Sequence, residues 1–248
     1  MLGAVAGDII GSPYEWSNTG DRYFELGRGT RGWYRGREVT YHPRFTDDTV
    51  MTLAVARWLM SDKDMNASRL ISIMQSMGQE YIDRGFAPMF RKWIESDQPH
   101  PYSSLDNGAA TRVSPVALTA HSLPEAITVA RMAAEVSHAH PEEIKGAEAM
   151  AQAVWMAQHG RSRGDIRFAI SHDYGYDLSM PEDEMMSLLA GCIKEPEKTR
   201  DSSISVKQEG LIIPARTLCR QPSGPFWQAT ALRMPSGEPS HLAVILTP

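Results

Sequence analysis

Apolar residues recur at helical spacing through most of the first 190 residues, and no alternating β-branched run is long enough to build a large sheet. That rhythm restricts the chain to a mostly helical fold. Met51, Ala54, Trp58 and Leu59 follow Thr46 and Asp47, either of which suits an N-cap. Leu70, Ile73, Met74, Met77 and Tyr81 lie on one stripe, which predicts a helix over 67–81. Further helices are expected at 109–120, 124–136, 141–159 and 163–172. Ser122 precedes Pro124 and Glu125 at one start. At another, Pro141 takes the first helical position with Glu142 and Glu143 behind it. Proline lacks a donor that the first turn does not need, and the carboxylates complement the helix dipole. Residues 2–10 form a small-residue apolar segment ending near Gly11-Ser12-Pro13. Residues 17–45 mix glycine, arginine and aromatics without a helical period and read as a long loop; the polar, proline-rich stretch 96–108 reads as another.

Charge and cysteine usage narrow the function. The 248 residues carry 25 Lys+Arg against 30 Asp+Glu, a formal net charge of -5, with no basic run. A weakly acidic chain lacks the footprint of a general nucleic-acid binder, so no nucleic-acid partner is expected. Two cysteines, Cys192 and Cys219, make no disulfide framework, which favours a cytoplasmic setting. Asp8 interrupts the apolar start, and no basic n-region precedes it, so no signal peptide is read there. No uncharged apolar stretch approaches the roughly 18 residues of a membrane span, so no membrane partner is expected. Oligomeric state is not legible.

Four segments concentrate chemistry. Gly7-Asp8-Ile9-Ile10-Gly11-Ser12-Pro13-Tyr14-Glu15 places two carboxylates around one turn. A capping Asp8 and a surface Glu15 would explain it equally. Phe45-Thr46-Asp47-Asp48-Thr49 puts a hydroxyl and two adjacent carboxylates at a helix start. Hard divalent cations favour such oxygens, and so does ordinary helix capping. Asp106-Asn107-Gly108-Ala109-Ala110-Thr111-Arg112-Val113-Ser114-Pro115 sets small residues at a helix start, where exposed N–H groups suit phosphate oxygens. Arg112 adds either a fork of donors or a structural ion pair. Ser137-His138-Ala139-His140-Pro141 carries paired histidines with no cysteine nearby, which favours ligand orientation or helix capping over zinc.

In this order the four segments resemble the ADP-ribosylglycohydrolase family, which includes the enzyme that removes ADP-ribose from dinitrogenase reductase. The resemblance runs from residue 2 to about residue 180. It implies an all-α orthogonal helical bundle with a two-metal centre of Mg2+ or Mn2+. Thr46, Asp47 and Asp48 would be metal ligands. Glu15 and Asp48 would be the catalytic carboxylates, and Asn107, Gly108, Arg112 and His138 would meet the substrate. That substrate would be an ADP-ribosylated protein or a small ADP-ribose conjugate, cut at the N- or O-glycosidic bond of the ribose.

The tail departs from the pattern. The family's second metal half, a Gly-Asp-x-Asp-Thr segment, is absent from residues 181–248, so half of the ligand set is missing. The expected division is a helical domain over 1–190 and an aberrant or truncated, irregular segment over 191–248. The expected cause is a shifted reading frame. Taking the third base of each codon with the first two of the next, Leu242 to Pro248 permit Gly-Gly-Asp-Thr-Asp-Thr. Phe226-Trp227 and Trp227-Gln228 then encode only Leu and Ala. The expected frame change falls between 190 and 215, with impaired activity as its consequence. Two other readings stand beside the enzyme: a non-catalytic binder of ADP-ribose or a nucleotide, and a repurposed structural protein.

Overall fold

The computed structural model describes residues 1–15, 29–34, 37–103, 106–176 and 178, together with four short strands in the tail. Helix α1 spans Leu2–Glu15 and runs through Pro13, past the expected stop near Gly11. Pro13 cannot donate to the carbonyl one turn back. The Ser12 hydroxyl donates to Ile9 O instead, at 3.1 Å, and thereby lets the helix continue. Strands β1 (Thr30–Tyr34) and β2 (Arg37–Tyr41) form an antiparallel pair with Thr30 opposite Tyr41. This pair corrects the loop expected over 17–45. Trp33, Tyr34, Val39 and Tyr41 favour extended backbone, but five-residue strands are too short for their alternation to be heard among glycines.

Helices α2 (Asp47–Ser61) and α3 (Ala67–Glu80) appear where the apolar stripes place them. Thr46 and Asn66 are their caps. Helix α4 (Pro88–Ile94) has no counterpart in the sequence reading, because seven residues give barely two turns of periodicity. The helix expected over 109–120 is two pieces, α5 (Gly108–Thr111) and α6 (Ser114–Thr119). Pro115 breaks it by withdrawing the donor that would reach Thr111 O. Thr52 Oγ1 supplies that bond from α2, at 3.3 Å. Helices α7 (Leu123–Glu135), α8 (Pro141–Gln158) and α9 (Arg163–Tyr174) follow with caps at Ser122, His140 and Ser162. In the tail, β3 (Ser205–Gln208) pairs antiparallel with β4 (Leu211–Pro214), and β5 (Gln228–Ala231) with β6 (Val244–Thr247). No helix among the described residues is long and apolar enough to cross a membrane.

The core lies between the α2–α3 pair and the α7–α8 pair. Ala126, Ala130, Ala133 and Ala134 on α7 and Ala147 and Ala151 on α8 are all buried, and the two helices pack on each other. Small side chains let these two helices approach closely. Trp58 is fully buried and donates its indole N–H to Asn66 O, at 3.2 Å, which ties α2 to the start of α3. Gly78 is the close approach of α3 to α4. A Cβ placed there would meet Ile94 Cδ1 at 2.7 Å, and Ile94 itself is fully buried. Gly78→Ala is therefore expected to destabilise the fold by about 1–3 kcal/mol in urea unfolding. Adding Ile94→Val, which removes the nearest methyl, should recover part of that loss. A neutral single variant would contradict the packing described.

Candidate active site

The site grows from the start of α2. Asp8, on α1, accepts hydrogen bonds from Thr46 N at 2.8 Å, Thr46 Oγ1 at 2.6 Å, Thr49 N at 3.3 Å and the Thr49 hydroxyl. Thr46 Oγ1 in turn accepts from Asp48 N at 3.3 Å. One carboxylate thus caps a helix 38 residues further along the chain. The capping alternative for Asp8 holds, though the helix it caps is not its own. Asp47 N donates to Arg84 O at 3.0 Å, and Gly85 beside it has φ +112, a left-handed conformation that favours glycine. That turn brings the 81–87 loop against the Asp47 carboxylate.

Asp47 and Asp48 then line a small cleft with Met51, Phe90, Tyr102 and Asp106. Its far wall holds Asn107, Gly108, Arg112 and His138. The cleft volume is about 60 Å³, room for a few ordered waters or part of a larger ligand. Burial first, and the charge of Asp8 second, push the Asp48 carboxyl up to about 7. A carboxyl so poised exchanges protons near neutrality.

The far wall is built by a short bridge. Tyr102 N donates to Ser137 O at 3.0 Å, and Ala139 N donates to Tyr102 O at 2.9 Å. This bridge pins the strand-like 101–103 stretch against the end of α7 and sets His138 beside the Tyr102 ring, 5.3 Å between centroids. A Cβ on Gly108 would lie 3.8 Å from His138 Nε2, so glycine leaves open the space before that nitrogen. Burial and the Arg112 charge drive the His138 imidazole down to about 2, so it is neutral. Its neighbour His140 is a helix cap: Nδ1 accepts from Glu142 N, and Glu143 Oε2 accepts from His140 N. The alternatives weighed for the paired histidines thus divide between them, cap for one and cleft wall for the other.

The structure sorts the expected site residues as follows. Asp47, Asp48, Asn107, Gly108, Arg112 and His138 converge on one cleft. Thr46 stands behind the carboxylates as a buried cap. Glu15 closes α1, and its side chain lies outside the described residues. Arg112 lines the cleft but spends its guanidinium on protein carbonyls. It donates to Gly108 O at 3.1 Å and to Ala133 O at 2.8 Å. Its side chain is fully buried, and burial lowers its pKa to about 10. Sequence reasoning missed Phe90 and Tyr102, since α4 itself went unread. It also missed the full role of Asp8. The single turn of α5 aligns few peptide dipoles, so phosphate binding gains little from a macrodipole there.

The donors present fit a hard divalent ion in kind, as carboxylate oxygens on a cleft wall. Among the described residues they fall short in number. Among the described residues no three His, Cys, Asp or Glu side chains gather as a ligand group.

Two outcomes are expected of variants here. Asp8→Ala removes an acceptor shared by four donors, two of them backbone groups of the α2 start, and should cost about 1–3 kcal/mol in urea unfolding. A loss of only a few tenths would deny Asp8 its capping role. His138 has a folded pKa of about 2 against 6.5 for an ordinary imidazole. Below that ordinary value the unfolded chain takes up a proton that the folded chain refuses, so stability falls with pH by up to about 1.4 kcal/mol per unit. His138→Gln should flatten the slope between about pH 6.5 and about pH 5, measured as urea midpoints. Equal slopes in the two proteins would mean that His138 protonates in the fold.

The ADP-ribosylglycohydrolase family description matches residues 1–210. ADP-ribosylhydrolase ARH3 of Homo sapiens is 28% identical over 190 residues, 66% of this chain and 50% of that protein. ARH3 of Xenopus tropicalis is 28% identical over 180 residues, 64% and 49% of the two chains. ARH3 of Mus musculus is 27% identical over 190 residues, 66% and 50%. The chain therefore spans about half the length of these relatives. A match over residues 1–210, on a mostly helical fold that brings three of the four motifs to one cleft, places this chain in the ADP-ribosylglycohydrolase family.

Proposed function

We propose that this chain is a metal-dependent ADP-ribosyl glycohydrolase, with Mg2+ or Mn2+ as the ion and with impaired activity in the polypeptide of residues 1–248. The substrate is ADP-ribose linked to a protein side chain or a small acceptor. The observation that carries the reading is the two-sided cleft. Asp47 and Asp48 form one wall, and Asn107, Gly108 and His138 form the other.

Asp47 and Asp48 would hold the ion, with Thr46 as a third oxygen behind them. When bound, such an ion supplies positive charge beside the ribose hydroxyls and the attacking water. In hydrolysis the water oxygen bonds to the anomeric carbon, and the C–N or C–O bond to the acceptor breaks. One water proton ends on the leaving group. Asp48, buried on the cleft wall, would take the proton from water. Glu15 is assigned to the leaving group. Asn107 and His138 orient the ligand from the opposite wall.

Impairment rests on the tail. Residues 181–248 carry no Gly-Asp-x-Asp-Thr segment, and the family match ends at residue 210. That end falls inside the 190–215 window in which a frame change would permit the motif, and the domain boundary near 190 is proposed on the same ground. The competing reading, an ADP-ribose binder without catalysis, is favoured by the absence of a three-residue ligand group among the described residues.

The test is release of free ADP-ribose from arginine- and serine-linked peptides, with Mg2+, with Mn2+ or with a chelator. Metal-dependent release is expected at a rate well below that of ARH3. Asp48→Asn should lower it by about 10²-fold or more. Saturable ADP-ribose binding with no cleavage in any metal would favour the binder. Turnover equal to that of ARH3 would remove the impairment.

A further inference from the structure

The cleft is lined by a buried cation whose hydrogen bonds go to carbonyls and a hydroxyl rather than to a carboxylate. Arg112 is 1% exposed, and its Nη2 donates to Ala133 O at 2.8 Å, to Ala134 O at 3.4 Å and to Ser137 Oγ at 2.7 Å. The two carbonyls belong to the last turn of α7, whose dipole favours positive charge. The Phe90 ring lies beneath the guanidinium, 5.9 Å from its centroid. The cation is thus held still by a helix end and an aromatic face.

Its third partner has a consequence for His138. The Ser137 hydroxyl has one proton to give and lone pairs to accept with. Arginine only donates, so Oγ is the acceptor toward Arg112. His138 Nδ1 lies 2.7 Å from the same oxygen. Ser137 is fully buried, so its own proton needs an acceptor. Nδ1 is placed to be that acceptor. A neutral imidazole that accepts at Nδ1 carries its proton on Nε2. Nε2 stands 3.8 Å from Glu143 Oε1, too far for a hydrogen bond, and faces the space that Gly108 leaves open.

We propose that Arg112 and Ser137 are positioning residues that fix His138 as the neutral Nε2–H tautomer, a hydrogen-bond donor aimed at an acceptor atom of the ligand in the cleft. Arg112 acts through Ser137 rather than by touching the ligand. A neutral donor binds an oxygen or ring nitrogen without adding charge beside the acidic wall. The ligand side of this inference rests on the glycohydrolase reading; the tautomer does not.

Long-range 1H–15N correlation spectra of the 15N-labelled full chain test it, with the His138 signals identified by their loss in His138→Gln. The expected pattern is the neutral Nε2–H tautomer, unchanged from about pH 5.5 to about pH 8. Ser137→Ala should release the tautomer to a mixture, Ser137→Thr should keep it, and Arg112→Gln should loosen it as Ser137→Ala does. Isothermal titration with ADP-ribose should show binding weakened roughly five- to tenfold in Ser137→Ala and restored in Ser137→Thr. An Nδ1–H tautomer in the wild-type chain would overturn the proposal. So would an unchanged Nε2–H pattern in Ser137→Ala. Should Ser137→Ala or Arg112→Gln fail to fold, the wild-type spectrum and Ser137→Thr decide alone. No ADP-ribose binding by the wild-type chain would count against the glycohydrolase reading and leave the tautomer result standing.

Discussion

The carboxylate of Asp8 at the start of α2 is the interaction on which the site depends. It gathers two backbone donors and two hydroxyls from Thr46 and Thr49. A helix start leaves several N–H groups without intrahelical partners, and an anion there meets both those donors and the helix dipole. The same placement fixes where Asp47 and Asp48 stand, because they are the next two residues. It also sets their electrostatics. Asp8 raises the Asp48 carboxyl by its charge, second only to burial. A capping carboxylate and a cleft carboxylate thus compete for the same donors and dipole. The cap wins the hydrogen bonds, and the cleft residue bears the like-charge cost.

A second device recurs where proline interrupts a helix. Pro13 orphans Ile9 O, and the Ser12 hydroxyl takes it. Pro115 orphans Thr111 O, and Thr52 takes it from a neighbouring helix. The two solutions differ in outcome. The local one keeps α1 continuous and carries the chain to Glu15. The distant one accepts the break and ties α2 to α5, so that the carboxylate wall and the Asn107–Gly108 wall share a hydrogen bond. Both carbonyls are part-buried, so each hydroxyl offsets some of the roughly 1–3 kcal/mol that a fully buried, unpaired carbonyl would cost.

Much of this was legible in the sequence. Caps at Thr46 and Ser122, the stripe through Leu70 and Met74, and Pro141 at a first turn are local signals, and the structure follows them. The unread parts are those set by distant partners. Pro13 stops a helix unless a hydroxyl replaces its donor, and no local rule says that Ser12 will. Strands β1 and β2 stabilise each other by pairing, so neither is conspicuous alone. Helix α4 is too short for a period, and it took Phe90 out of view with it. Asp8 was visible as a capping residue but not as the cap of α2, because 38 residues separate them. Arg112 was read as a fork of donors or an ion pair. It is a fork, but one turned inward to the carbonyl end of α7, a partner that carries no sequence signature.

That inward turn explains how the cleft stays acidic. A guanidinium on the wall of so small a cleft would ordinarily seek its carboxylates, since a charge-assisted bidentate pair is the stronger contact. Here the α7 carbonyls, the Gly108 carbonyl and Ser137 use its donors, and the Phe90 face fills the space beneath it. The shift of Asp48 is accordingly set by burial and by Asp8. Had Arg112 paired with Asp48, the wall would be neutral and closed to a cation. Holding the positive charge at a helix C-terminus, and the negative charges at a helix N-terminus, uses two opposite dipole ends to keep the cleft's charges apart. The cost is a buried arginine whose Nε has no partner among the described residues.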